Sequence, residues 1–134
     1  MAIGLKYAGT AHEDARDVLL DYAFKFTNLL GKSLAEICGK ATVETCLNAM
    51  TVSLGMVMAG TGSLEVMRLC RHLRTRVIPN QGSVTFGSHL ATHMALGLLF
   101  LGGGSLTLSS SPQAIGSLLC AFYPKWPVCS GDNR

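Results

Sequence analysis

Two imidazoles four residues apart, His89 and His93, are the residues of this chain best spaced to share a chemical task, since one helix turn brings such a pair onto one metal ion. A zinc protease would place glutamate directly after the first histidine. This chain has Leu90 there, and no third ligand follows from spacing, so packed or hydrogen-bonded histidines are expected. The glycine run Gly102-Gly103-Gly104 and the serines Ser109-Ser110-Ser111 suggest a phosphate loop or a nucleophile, but no lysine stands in the P-loop position, and the stretch reads as a turn between helices. Four of the eight acidic residues fall on the polar face of one helix and the others are scattered, which leaves no pair placed for acid and base work. The chain is therefore expected not to be an enzyme, and neither a cofactor nor a metal is expected.

One cluster remains for binding. Arg68, Arg71, Arg74 and Arg76 lie within nine residues, and three-residue spacing keeps the first three roughly on one side of a helix. Such a stripe can meet phosphate or an acidic protein surface. No aromatic residues interleave with it to stack bases, so no nucleic-acid partner is expected. A solvated helix face, with cations favoured near a helix C-terminus, is the plainer account of the same residues.

The elements that carry these residues are set by a repeat. AIGLKYAGT, SLGMVMAGT and ALGLLFLGG each hold a glycine followed five residues later by another, at Gly4 and Gly9, Gly55 and Gly60, and Gly97 and Gly102. The first glycines are 51 and 42 residues apart, a unit length suited to stacked helical hairpins. Repeats of this kind bury their core against their neighbours. Gly55 and Gly97 are expected where inner helices cross, because a glycine costs a helix about 1 kcal/mol relative to alanine and close approach is the usual reason to accept it.

Periodicity fills in the helices. Residues 11–30 carry Ala15, Val18, Leu19, Tyr22, Ala23, Phe26, Leu29 and Leu30 as one buried stripe, with Thr10 and Glu13 as a capping box and Gly31 as the stop. Residues 42–59 form an inner helix, apolar on most sides after Cys46. Residues 64–75 form an amphipathic helix carrying the arginines, and 88–101 a second inner helix after a loop with Pro79, Asn80 and Gly82. A last helix begins at Ser111-Pro112, with Ile115, Leu118, Leu119 and Phe122 as its buried stripe.

At 134 residues one structural unit is expected, spanning the whole chain. Hydrophobic residues reach 49% and charged residues only 14%, and Val77 to Pro124 contains no Asp, Glu, Lys or Arg. Protein neighbours or a membrane could cover such a surface. A spanning helix needs roughly 18 consecutive apolar residues, and glycines and hydroxyl residues interrupt every run here well before that, so no membrane association is expected. No signal peptide is visible after Met1. Five cysteines without a CxxC pair, three of them within apolar helical patterns, read as reduced, buried thiols.

Helix pairs of this size, with xLGxxxxxGT closing one helix and a fresh amphipathic helix following, resemble the proteasome/cyclosome repeat. The segment from Gly87-Ser88-His89 to Gly102-Gly103-Gly104 looks like the cyclosome branch, the family of largest subunits of the anaphase-promoting complex. So do Met58-Ala59-Gly60-Thr61-Gly62-Ser63-Leu64, Leu69-Cys70-Arg71, Leu119-Cys120-Ala121-Phe122-Tyr123-Pro124 and Asp132-Asn133-Arg134. The resemblance covers essentially all 134 residues. It implies an all-α solenoid of about two and a half helix-turn-helix repeats, part of a toroid, and a non-catalytic scaffold in a cell-cycle ubiquitin ligase of nucleus and cytoplasm. The implied partners are the other subunits of that complex and its co-activator. A scaffold piece of the proteasome regulatory particle and a helical membrane protein are the alternatives.

Overall fold

The computed structural model describes residues 1–76 and 86–127 together with Cys129 and Gly131, with the backbone alone at 29–31. Its elements are α1 (Ala2–Lys6), α2 (Glu13–Thr27), α3 (Leu29–Cys38), α4 (Lys40–Val57), α5 (Leu64–Thr75), α6 (Phe86–Leu99) and α7 (Pro112–Ala121), with a short 3-10 turn at Leu101–Gly104. Among the described residues all regular structure is helical.

Helices α1, α4 and α6 lie side by side as a row, and α2 and α5 pack against it. Ala15, Leu19, Leu20 and Ala23 of α2 meet Leu47, Leu54 and Val57 of α4, and Val66, Leu69 and Leu73 of α5 close the same cluster over Ala95 and Leu99 of α6. Val52 and Met56, on the other side of α4, join Ala91 and Leu98 of α6 beneath Leu5, Leu108, Phe122 and Trp126. Walled on both sides, α4 needs no polar face, and Thr51 and Ser53 satisfy their buried hydroxyls by donating to the carbonyls of Leu47 and Ala49, 2.8 and 2.7 Å away.

Several expectations are corrected. The 11–30 helix ends at Thr27, and after Asn28 the chain starts again as α3, so Gly31 lies inside a helix and is no stop. The cap of α2 is His12, whose Nδ1 accepts the Ala15 N–H, while the Thr10 hydroxyl donates to the Tyr7 carbonyl and forms no capping box. The buried stripe is rotated toward Leu20, which leaves Val18 and Tyr22 about half exposed. In α7, Ser111 caps the Ala114 N–H as expected, but no residue of the helix is buried, because it lies beside α1 and not over α6. Of the five cysteines only Cys70 is buried. The loop with Pro79, Asn80 and Gly82 lies outside the described residues.

Candidate functional site: glycine joints and a basic outer helix

The three glycine motifs end their helices alike, except that the third runs into a 3-10 turn in which Gly103 is left-handed too, at φ +68°. Tyr7, Met58 and Phe100 close the helices at φ near −100° with ψ between 22° and 28°, and Gly9, Gly60 and Gly102 then turn left-handed at φ +68°, +74° and +58°. Two residues further on, Ala11, Gly62 and Gly104 are left-handed as well, at +52°, +61° and +85°. Ala11 tolerates this uncommon region because its N–H is held by the Val57 carbonyl at 3.0 Å.

The first two turns each cap the next helix of the row. The Gly9 N–H donates to Met56 O at 2.9 Å, while Gly60 N–H and Gly62 N–H donate to Leu98 O and Leu99 O, each at 3.0 Å. Those carbonyls belong to the last turn of α4 or α6 and have no partner within their own helix. The turns are in turn crossed by the segment after the 3-10 turn. A Cβ on Gly9 would stand 2.2 Å from Leu108 O, and the Thr107 hydroxyl sits between the carbonyls of Gly9 and Ala59 at 3.1 and 3.0 Å.

Backbones also meet directly along the row. A Cβ on Gly4 would lie 2.8 Å from the Ser53 Cα, and one on Gly55 would lie 2.8 Å from the Ala95 Cα. Gly97 differs from the expectation. It is exposed with no atom within 4 Å of an added Cβ, because α4 meets α6 at Ala95, two residues earlier and on another face. The two residues that the glycines meet, Ser53 and Ala95, each stand two places before the next first glycine, a second regularity visible in the sequence.

The four arginines are not equivalent. Arg68, Arg71 and Arg74 are exposed on the outer side of α5, and among the described residues none of them joins an ion pair. Arg76 turns inward, where its guanidinium donates to Glu44 of α4 at 2.5 Å, beside Asn48, which donates to the Ser88 hydroxyl at 3.2 Å. Arg76 therefore ties α5 to α4. Across α5, Arg68 and Glu65 line with Asp17, Leu20 and Phe24 an open cleft of about 410 Å³.

The remaining candidates hold no chemistry in common. The His89 and His93 rings stack 6.0 Å apart, the first half-buried and the second exposed. Among the described residues no three metal-ligating side chains gather, and no helix is long and apolar enough to cross a membrane. Burial of Cys70 pushes its thiol up to about 11, away from the reactive thiolate.

The chain is 46% identical over 134 residues to anaphase-promoting complex subunit 1 of Mus musculus, which covers all of this chain and 7% of the relative. It is 44% identical over 144 residues to the Dictyostelium discoideum protein of the same name, covering 98% of the chain and 6% of the relative. A third relative, named negative regulator of mitosis in Emericella nidulans, is 42% identical over 136 residues, 99% of the chain and 6% of the relative. The chain thus spans less than a tenth of the length of these curated relatives. A family model described as the APC1 fifth domain matches residues 1–134, and the chain belongs to that family.

Proposed function

We propose that this stretch is a non-catalytic scaffold segment of the anaphase-promoting complex, one piece of a toroid of proteasome/cyclosome repeats. Its helices stack with neighbouring repeats and hold a platform on which other subunits and the co-activator assemble. The observation that carries this reading is the joint of the row: backbone against backbone at Gly4 and Gly55, and the turns after α1 and α4 donating to the next helix end. Such joints spend glycine and main-chain polarity on holding helices in register, which is the work of a support. The exposed side of α5, with Arg68, Arg71 and Arg74, is the face offered to an acidic partner.

Leu69→Asp in the full-length subunit tests the reading. Leu69 of α5 is fully buried in the cluster shared with α2, α4 and α6, so a carboxylate there has no partner and costs several kcal/mol. Complexes carrying it should lose neighbouring subunits or co-activator on co-purification, while ubiquitin transfer by the isolated catalytic subunits stays intact. Complexes that assemble and transfer ubiquitin like wild type would overturn the scaffold reading.

A further inference from the structure

Phe24 is a large apolar side chain that the core does not use. Leu19, Leu20 and Ala23 of α2 turn inward, whereas Phe24 is 44% exposed. Val18 and Tyr22 are exposed too, but of the three Phe24 alone lines the cleft toward α5. Asp17, Leu20 and Phe24, at spacings of three and four, form one edge of α2, and Glu65 and Arg68 face it across the open space of about 410 Å³. Asp17 stands eight residues after Gly9 and Arg68 eight after Gly60, so the two hold equivalent places on neighbouring outer helices.

The charges on the rim are unequally served. Arg16 holds Asp17 at 2.8 Å and approaches Glu65 at 3.6 Å, so one guanidinium attends both carboxylates. Arg68 is exposed and joins no ion pair among the described residues. The cleft therefore offers an apolar wall with one uncommitted cation beside it.

We infer that the cleft between α2 and α5 docks an acidic peptide segment of another protein, which sets an apolar side chain against Leu20 and Phe24 and a carboxylate on Arg68. This rests on the reading of α5 as the face for an acidic partner and adds the anchor that arginines alone do not supply. An exposed ion pair contributes about 0–1 kcal/mol, whereas burying a leucine- or phenylalanine-sized side chain contributes about 1.5–3 kcal/mol. The wall thus holds the segment, and Arg68 selects its charge and orientation. A single carboxylate fits the rim better than a phosphate, because Asp17 and Glu65 would both oppose a dianion. The row of α1, α4 and α6 adds neighbours along its length, and stacked repeats contact only their neighbours, so the outer side of α2 and α5 is left for a different chain.

A photocross-linker at the cleft wall tests this in the assembled complex. With Phe24→p-benzoylphenylalanine in the full-length subunit, mass spectrometry of the cross-linked product should find one segment of a different protein, carrying an apolar residue at the link and Asp or Glu within about one helix turn of it. Adding Arg68→Glu should lower the cross-link yield about tenfold, while Arg68→Lys, which keeps the charge, should retain most of it. Both residues are exposed, so melting midpoints should match wild type. Capture of a segment without Asp or Glu, of the same polypeptide, of nucleic acid or of nothing would each overturn the inference. So would a yield indifferent to Arg68→Glu, or one that phosphatase treatment abolishes. The Leu69→Asp experiment reads separately: assembly lost there with no capture here would leave the scaffold standing and remove the cleft as a docking site.

Discussion

Gly60 and Leu106 are so close that a Cβ on the glycine would stand 1.8 Å from the Leu106 carbonyl oxygen. The contact locks the turn after α4 to the segment that crosses it, and the obstacle is main chain, which cannot swing aside like the end of a side chain. Gly103 has a similar φ, +68°, but nothing within 4 Å. The two glycines therefore separate backbone strain from crowding. Gly103→Ala should cost about 1–2 kcal/mol, the strain of a left-handed alanine. Gly60→Ala should cost about 2–5 kcal/mol, because displacing the crossing segment adds about 1–3 kcal/mol of overpacking. Denaturant midpoints of the two variants compared with wild type measure the difference, and equal losses would show that the crossing is loose.

Cys70 differs from the other thiols in the rate at which it should react. Buried and pushed up to about 11, it presents little thiolate at pH 8, whereas Cys38, Cys46, Cys120 and Cys129 are exposed. Alkylation of the native protein followed by mass spectrometry should mark those four and leave Cys70 until denaturant is added. The same shift has a stability consequence. A thiol whose folded value lies above its unfolded value near 9 favours folding fully below that pH, and its contribution is lost as pH rises from about 9 through 11. A Cys70→Ala variant should show less alkaline destabilisation over that window than wild type.

Arg76 and Glu44 join α5 to α4 where both side chains are largely shielded, 27% and 10% exposed. Removing the guanidinium by Arg76→Ala leaves a nearly buried carboxylate beside Asn48 with a lost charge-assisted bond. A cost of about 1–3 kcal/mol is expected. Arg71→Ala, on the exposed side of the same helix, should change stability by about 0.5 kcal/mol or less. Thermal melts of the pair check this, and matching midpoints would mean that the ion pair is solvated in solution.

Punctuation was what made the fold legible. Leu64 and Thr75 bound α5 as expected, because Gly60-Thr61-Gly62-Ser63 can only turn before it, and Ser111-Pro112 starts α7 for the same kind of local reason. The break at Asn28 was not legible, since Leu29 and Leu30 continue the apolar period of α2 and a change of chain direction leaves no mark on hydrophobicity. Burial of Val18, Tyr22 and the α7 stripe depends on which neighbour arrives, and periodicity names a face without naming its cover. Of the site, the glycines were visible as a repeat and the small residues Ser53 and Ala95 as a regularity beside it, but that Gly4 meets the one and Gly55 the other follows only from how the helices cross. The arginine cluster was visible as charge, and only the position of Glu44 separates Arg76 from the rest.

That separation gives the last prediction. Arg71 and Arg74 are exposed and belong to no ion pair among the described residues, so reversing their charge breaks no ion pair there. Arg71→Glu with Arg74→Glu should leave the melting midpoint of the full-length subunit within about 0.5 kcal/mol of wild type in stability terms. If the outer side of α5 meets an acidic partner, like charges now oppose one another, and co-purification of that partner should fall and respond less to added salt, which screens attraction between exposed charges. Arg76→Glu should behave in the opposite way. It sets a second carboxylate against Glu44 and lowers stability first, with any loss of partners following from the fold. Quantitative co-purification across a salt series, read beside the melts, distinguishes the two. A double variant that retains every subunit with an unchanged salt dependence would assign Arg71 and Arg74 to solvent alone and withdraw α5 from the contact surface.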